Sequence, residues 1–176
     1  MNNKNIYIIL SQTGTILSKI LKLLTGAEYN HSSIGLNSDL KQMYSFGRLN
    51  PYNPINGGFV VESPSSGTFK RFYKTKVLIV SVCISEQDYL KIQRTINNIN
   101  RHKDLYHYNY IGLFLAAFHK IHKAERRYYC SEFVRYILKC GDVKGIDLLP
   151  GIVKPIDFLS IPHKTVYCGR LQNYKI

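Results

Sequence analysis

The sequence predicts an α+β fold, an antiparallel sheet with helices set apart from it, and three observations carry that expectation. Short apolar runs recur between turn residues, as in "IYIIL", "HSSIGL" and "KVLIVSVCI". Two longer segments, "SEQDYLKIQRTINNIN" and "CSEFVRYILKCG", instead repeat their apolar residues at helical spacing. No internal repeat, low-complexity tract or linker interrupts the chain, so residues 1–176 read as one domain, long enough to bury a core without staples or metals.

Each element follows from its own residues. Ile6 to Leu10 is a buried strand, ended by Ser11 and Gln12 and too short for a signal segment or a membrane span. In "TILSKILKLLTG", Ile16, Leu17, Ile20, Leu21 and Leu24 fall on one helical face and Gly26 supplies a stop. "HSSIGL" and "LKQMYSFG" flank Asn37, Ser38 and Asp39 as a hairpin, with His31 first in its strand. "RLNPYNPINGG", residues 48–58, is rich in Pro, Asn and Gly and predicts an irregular surface loop of the kind that borders a site.

"FVVES" and "KVLIVSVCI" follow as strands, the second apolar enough for the middle of a sheet, with Cys83 as inert packing. Ser85, with Asp88 three places on, opens a capped helix whose stripe is Tyr89, Ile92, Ile96 and Ile99. The stretch from Tyr110 to Phe118 is apolar nearly all round and predicts a buried helix. Phe133, Val134, Ile137 and Leu138 mark the face of the next helix, and Gly141 is its expected stop. "VKPIDFLSIP" reads as a turn or short helix and "KTVYCGRL" as a last strand.

Composition narrows the classes of function. Four cysteines without a close C-x-x-C pair do not form a disulfide framework or a zinc site, and are expected as free thiols in a reducing compartment. With no leader or spanning segment, the chain is expected to be soluble and cytoplasmic. Twenty-four Lys plus Arg against eleven Asp plus Glu give a net charge of +13, which favours anionic partners. The densest basic stretch, "HKIHKAERR" from His119 to Arg127, is either a solvated face or a contact for an anionic surface. Tyrosines near it, Tyr106, Tyr108, Tyr110, Tyr128 and Tyr129, partly meet the pattern of a nucleic-acid face, but no stable nucleic-acid complex is expected.

Cys130 falls at a helix N-terminus and Cys140 at the C-terminus of the same helix. Unpaired N–H groups and the macrodipole favour a thiolate at the first turn and disfavour it at the last. Of the four thiols only Cys130 has a reason to react, and nucleophilic use of it needs an imidazole within reach. His31, heading its strand, can project toward another element. His102, His107 and His163 sit in polar or terminal contexts, and the His119/His122 pair lacks the glutamate of a metal helix. Neither a metal nor a cofactor is expected.

"YNHSSIGL…MYSFGR", followed downstream by "YYCSEFVRYIL" and "VKPIDFL", resembles the permuted branch of the NlpC/P60 papain-like superfamily, in which the histidine strand precedes the cysteine helix. The resemblance runs from "IYIIL" through Phe158, with the middle matching only in layout. It implies a papain-like sheet or partial barrel against helices, with Cys130 as nucleophile and His31 as general base. The third, orienting position falls on Ser45, a departure from the polar or acidic group usual there, since a serine cannot stabilise imidazolium as a carboxylate does. Asp39, Glu62 or a backbone carbonyl are the alternatives. The oxyanion donors implied are the Cys130 N–H with Gln12 or Tyr29. Hydrolysis or transfer at an amide, ester or thioester of an acyl, peptide or lipid substrate is the expected chemistry, the alternative being a non-catalytic basic module of the same fold that binds nucleic acid or membrane.

Overall fold

The computed structural model describes residues 2–14 and 26–175. The helix expected on Ile16, Leu17, Ile20, Leu21 and Leu24 lies outside the described residues. Among the described residues eight strands, β1 (Asn3–Gln12), β2 (His31–Gly35), β3 (Met43–Asn50), β4 (Asn53–Glu62), β5 (Lys76–Ser85), β6 (His107–Tyr108), β7 (Arg127–Tyr128) and β8 (Lys164–Arg170), form one sheet in the order β7-β6-β4-β3-β2-β1-β5-β8. Every neighbouring pair is antiparallel except β6 and β7, which run parallel. The sheet is therefore mixed and open, and helices pack on it: α1 (Gly67–Arg71), α2 (Glu86–Arg101), α3 (Tyr110–Ala117) and α4 (Cys130–Cys140). The α+β architecture expected from the sequence holds at this level.

β1 is central because it is apolar on both faces. It pairs with β5 from Asn3↔Ser85 to Gln12↔Lys76 and with β2 from Tyr7↔Gly35 to Ser11↔His31. Ile6, Ile8 and Leu10 enter the main core, where Ile92, Ile96 and Ile99 of α2 and Phe133, Val134 and Ile137 of α4 meet them. Ile9 points the other way, into a smaller core with Leu40, Met43, Phe69 of α1 and Leu171. A strand covered on both sides needs an unbroken apolar run, and residues 6–10 supply it.

α2 starts at Ser85, whose hydroxyl oxygen accepts from the Asp88 N–H at 3.1 Å and donates to the Asp88 carboxylate at 2.6 Å. α4 lies beside it. Phe133 stands fully buried against Phe46 and Phe59, ring centroids 5.2 and 5.7 Å apart, and so fixes where the helix crosses the sheet. Gly141 caps this helix for a reason other than a left-handed turn. Its φ is −89°, the left-handed position passing to Asp142 at 48°, but a Cβ at 141 would stand 2.5 Å from the Ile92 side chain. Close approach of α2 excludes it.

Three expectations give way. Residues 48–58 are a hairpin, not a loop: β3 runs to Asn50, the chain turns over Pro51 and Tyr52, and β4 begins at Asn53. Its glycines serve packing, because a Cβ on Gly57 would lie 2.9 Å from Tyr108 Cβ and 2.6 Å from the Tyr110 hydroxyl. Gly57→Ala is expected to cost about 1–3 kcal/mol and to lower the thermal midpoint. An unchanged midpoint would show that β6 is not held tightly there.

The second concerns α3, which is a helix but not a buried one. Among its residues only Gly112 is buried, and Ile111 and Phe114 are 63% and 60% exposed. An all-round apolar sequence states how much surface wants cover, not that every side has a neighbour. The third concerns Cys83, which is exposed: it points away from Val82 and Ile84 and lies beyond Val77 and Ile79, the residues of β5 that the smaller core covers. The segment at Pro155–Ser160 is a short 3-10 helix and β8 closes the sheet edge, as read from "VKPIDFLSIP" and "KTVYCGRL".

Candidate active site

The site forms where the first turn of α4 meets the start of β2. Helical periodicity puts Phe133, Val134, Ile137 and Leu138 into the core, and this leaves Cys130 at the first helical position. The turn is tied down by Glu132, whose carboxylate accepts from the Tyr129 N–H at 3.1 Å and from Asn109 Nδ2 at 3.3 Å. Asn109 in turn caps α3 by accepting from the Gly112 N–H at 2.9 Å. One asparagine thereby fixes two helix starts. Sequence reasoning passed over both residues, although a glutamate three places after a helix start is a capping signal.

Strand alternation sorts the partners. Ser32 faces α4 and its hydroxyl lies 3.4 Å from the Ser131 hydroxyl. His31, at the head of β2, carries its ring to Glu62 at the end of β4: His31 Nε2 is 3.0 Å from Oε1 and 3.2 Å from Oε2. Ser33 donates to the same carboxylate at 2.5 Å. Ser45 Oγ also stands 3.3 Å from Nε2, but it is within donor distance of the Ser32 and Phe46 carbonyls as well. The acceptor nearest the imidazole is thus the Glu62 carboxylate, and Ser45 is a second neighbour. Asp39 lies on the β2–β3 turn beside Lys41.

With Nε2 turned to Glu62, Nδ1 is the ring nitrogen left to face the thiol, and His31 and Cys130 are near enough for each to act on the other's ionisation. Cys130 is 3% exposed, and burial pushes its pKa up. His31, followed by the Ser32 backbone and the Ser131 hydroxyl, outweighs burial and holds the thiol below its ordinary value. Burial likewise pushes the His31 pKa down, but the charge of Glu62 and the contact with Cys130 win and carry it up to about 10. The two shifts reinforce each other and favour a thiolate beside an imidazolium. Cys140, at the other end of the helix, has no such company.

Beside Cys130 opens a narrow cleft of about 60 Å³, walled mainly by Tyr29, Leu113, Ala116, Tyr129, Ile152 and Val153. Nearly all of that wall is apolar, and α3 supplies one side of it. Tyr29 therefore comes to the site, although its hydroxyl has Glu28 and Cys168 for neighbours; burial first, and then those two groups, push its pKa up to about 12. Gln12 lines another recess with Thr13, Gly14 and residues 71–74. Tyr108 is a neighbour the sequence did not single out: burial, then the charge of Cys130, push its phenol well above the ordinary range. The hairpin of residues 48–58 borders a separate recess, with Lys103 and Asp104, rather than the cysteine cleft.

Among the described residues no group of three His, Cys, Asp or Glu side chains is placed to hold a metal ion, and no helix is long and apolar enough to cross a membrane. All four cysteines are free thiols. Comparison with protein-family models, curated proteins and solved structures finds no match to this chain.

Proposed function

We propose that the chain is a papain-like cysteine hydrolase or acyltransferase, a permuted relative of the NlpC/P60 proteins, acting on an ester, thioester or amide. The observation that supports this most is the ordered set Cys130, His31 and Glu62: a helix-start thiol whose ionisation is favoured by a neighbouring imidazole, itself 3.0 Å through Nε2 from a buried carboxylate. Each member has a chemical task. The Cys130 thiolate adds to the substrate carbonyl carbon, and the tetrahedral oxyanion is held by the N–H groups of the first turn of α4. His31 gives its proton to the leaving group as the carbon–heteroatom bond breaks, leaving a thioester on Cys130. It then takes a proton from water or another acceptor, whose oxygen or nitrogen displaces the thiolate.

Glu62 keeps the ring oriented and stabilises its charged form, the role the resemblance placed at Ser45. The apolar cleft suits an acyl group of low polarity better than a charged peptide.

Incubation with p-nitrophenyl esters and acyl thioesters of graded chain length tests this reading. Intact mass should show an acyl adduct that maps to Cys130, and Cys130→Ser should abolish thioester formation and turnover. Equal turnover by Cys130→Ala, or no adduct from any of these donors, would remove the enzyme assignment.

A further inference from the structure

The function proposed above leaves one surface unused. Ile111, Phe114 and Phe118 recur at i, i+3 and i+7 along α3 and its end, so they share one stripe. They are 63%, 60% and 56% exposed, and Ile121, in the turn that follows, is 61% exposed. Phe114 and Phe118 also pack on each other, ring centroids 5.1 Å apart. Three large apolar side chains on one stripe, with Ile121 exposed in the turn just beyond it, form a patch rather than the scattered exposure normal for a surface.

The segment that leaves the helix is cationic. Residues 119–127 carry Lys120, Lys123, Arg126 and Arg127, all exposed, against the single acid Glu125. An apolar stripe followed by cations matches the interfacial zone of an anionic bilayer, where acyl chains lie under a layer of phosphates. A nucleic acid offers the phosphates but no place for Ile111 and Ile121. A second copy of the chain would bring the same cations against themselves.

The patch also adjoins the candidate site. Leu113 and Ala116, on the next stripe of the same helix, wall the cleft beside Cys130. Ile121 Cδ1 reaches within 3.6 Å of where a Cβ of Gly151 would stand, next to the cleft residues Ile152 and Val153. We infer that α3 and the basic turn after it dock this protein on an anionic lipid bilayer, with Ile111, Phe114, Phe118 and Ile121 entering the acyl layer and the cleft mouth held at the membrane surface. This placement builds on the proposed cleft, but the docking itself stands on the patch alone.

Flotation of the full chain with vesicles of phosphatidylglycerol and phosphatidylcholine, against phosphatidylcholine alone, tests it. The Cys130→Ala chain should float equally well, which separates docking from the proposed chemistry. Binding is expected to need the anionic lipid and to weaken with added salt. The pair Lys120→Gln and Lys123→Gln should reduce partitioning about 30-fold, and the pair Ile111→Ser and Phe118→Ser about 10-fold or more. Circular dichroism and the Cys130 alkylation rate should stay unchanged in both, which excludes misfolding as the cause. Three outcomes overturn the inference: no flotation, flotation insensitive to Ile111→Ser and Phe118→Ser, or a dimer in solution whose formation those substitutions abolish. Binding of an oligonucleotide in preference to the vesicles would overturn it as well.

Discussion

Replacing His31 by alanine is expected to slow iodoacetamide alkylation of Cys130 at pH 7 by about 30-fold or more, because a thiol returned to a pKa of 8.5 or higher is ionised to only a few per cent there. Two opposed effects act on this thiol: burial favours the neutral form, and His31 favours the thiolate and prevails. Removing the imidazole leaves burial uncompensated, so the pKa should pass its ordinary value rather than simply return to it. In the wild type the alkylation rate should hold steady as pH falls below the usual thiol range and drop only at the lowered thiol pKa. Turnover adds a second limb, since above about 10 the imidazolium loses the proton it must give to the leaving group. A Cys130 that titrates with the exposed Cys83, in the wild type and in His31→Ala alike, would overturn the thiolate–imidazolium pair.

Glu62→Gln tests the carboxylate by two independent readings. Glutamine keeps the shape and can still accept the His31 N–H, but it removes the charge that raises the His31 pKa. By comparison with catalytic triads, turnover is expected to fall about 100- to 10,000-fold, whereas Ser45→Ala, which leaves the carboxylate in place, should cost about 10-fold at most. Stability supplies the second reading. His31 has a folded-state pKa above its unfolded value, so its contribution is complete below about pH 6.5 and is lost as pH rises through about 10. The substitution is therefore expected to destabilise by about 1.5–3 kcal/mol at pH 6, with a gap that narrows toward pH 10. A pH-independent gap, or equal catalytic losses in Glu62→Gln and Ser45→Ala, would count against Glu62 as the charged partner.

The parts of the fold legible in the sequence are those in which one segment carries its own signal. Ile6 to Leu10 announces a strand covered on both faces, Ser85 with Asp88 a helix start, and the spacing of Phe133, Val134, Ile137 and Leu138 places Cys130 at a first turn. His31 at a strand head could be singled out for the same reason. What stayed illegible depends on pairing between distant segments. Glu62 meets His31 only because β3 lies between their strands, pairing with β2 at Met43 and Tyr44 and with β4 from Met43 to Asn50, a fact that no strand states alone. The proline- and asparagine-rich text of residues 48–58 resembles a loop because its glycines answer to Tyr108 and Tyr110, some fifty residues downstream. The bare side of α3 was hidden for a related reason: periodicity counts apolar residues and does not say which of them find a partner.

The join of β2 and α4 also sets an order of manufacture. The Ser32 and Ser131 hydroxyls that meet there are 99 residues apart in the chain. At about 5–20 residues per second of synthesis, the ribosome delivers the histidine roughly 5–20 s before the cysteine. β1 to β5, with the His31–Glu62 pair, can therefore assemble before Cys130 has been made, and its thiol acquires its partner only when α4 settles on the finished strands. Reactivity would then arrive as the closing event of folding, and a chain truncated before α4 would be chemically silent.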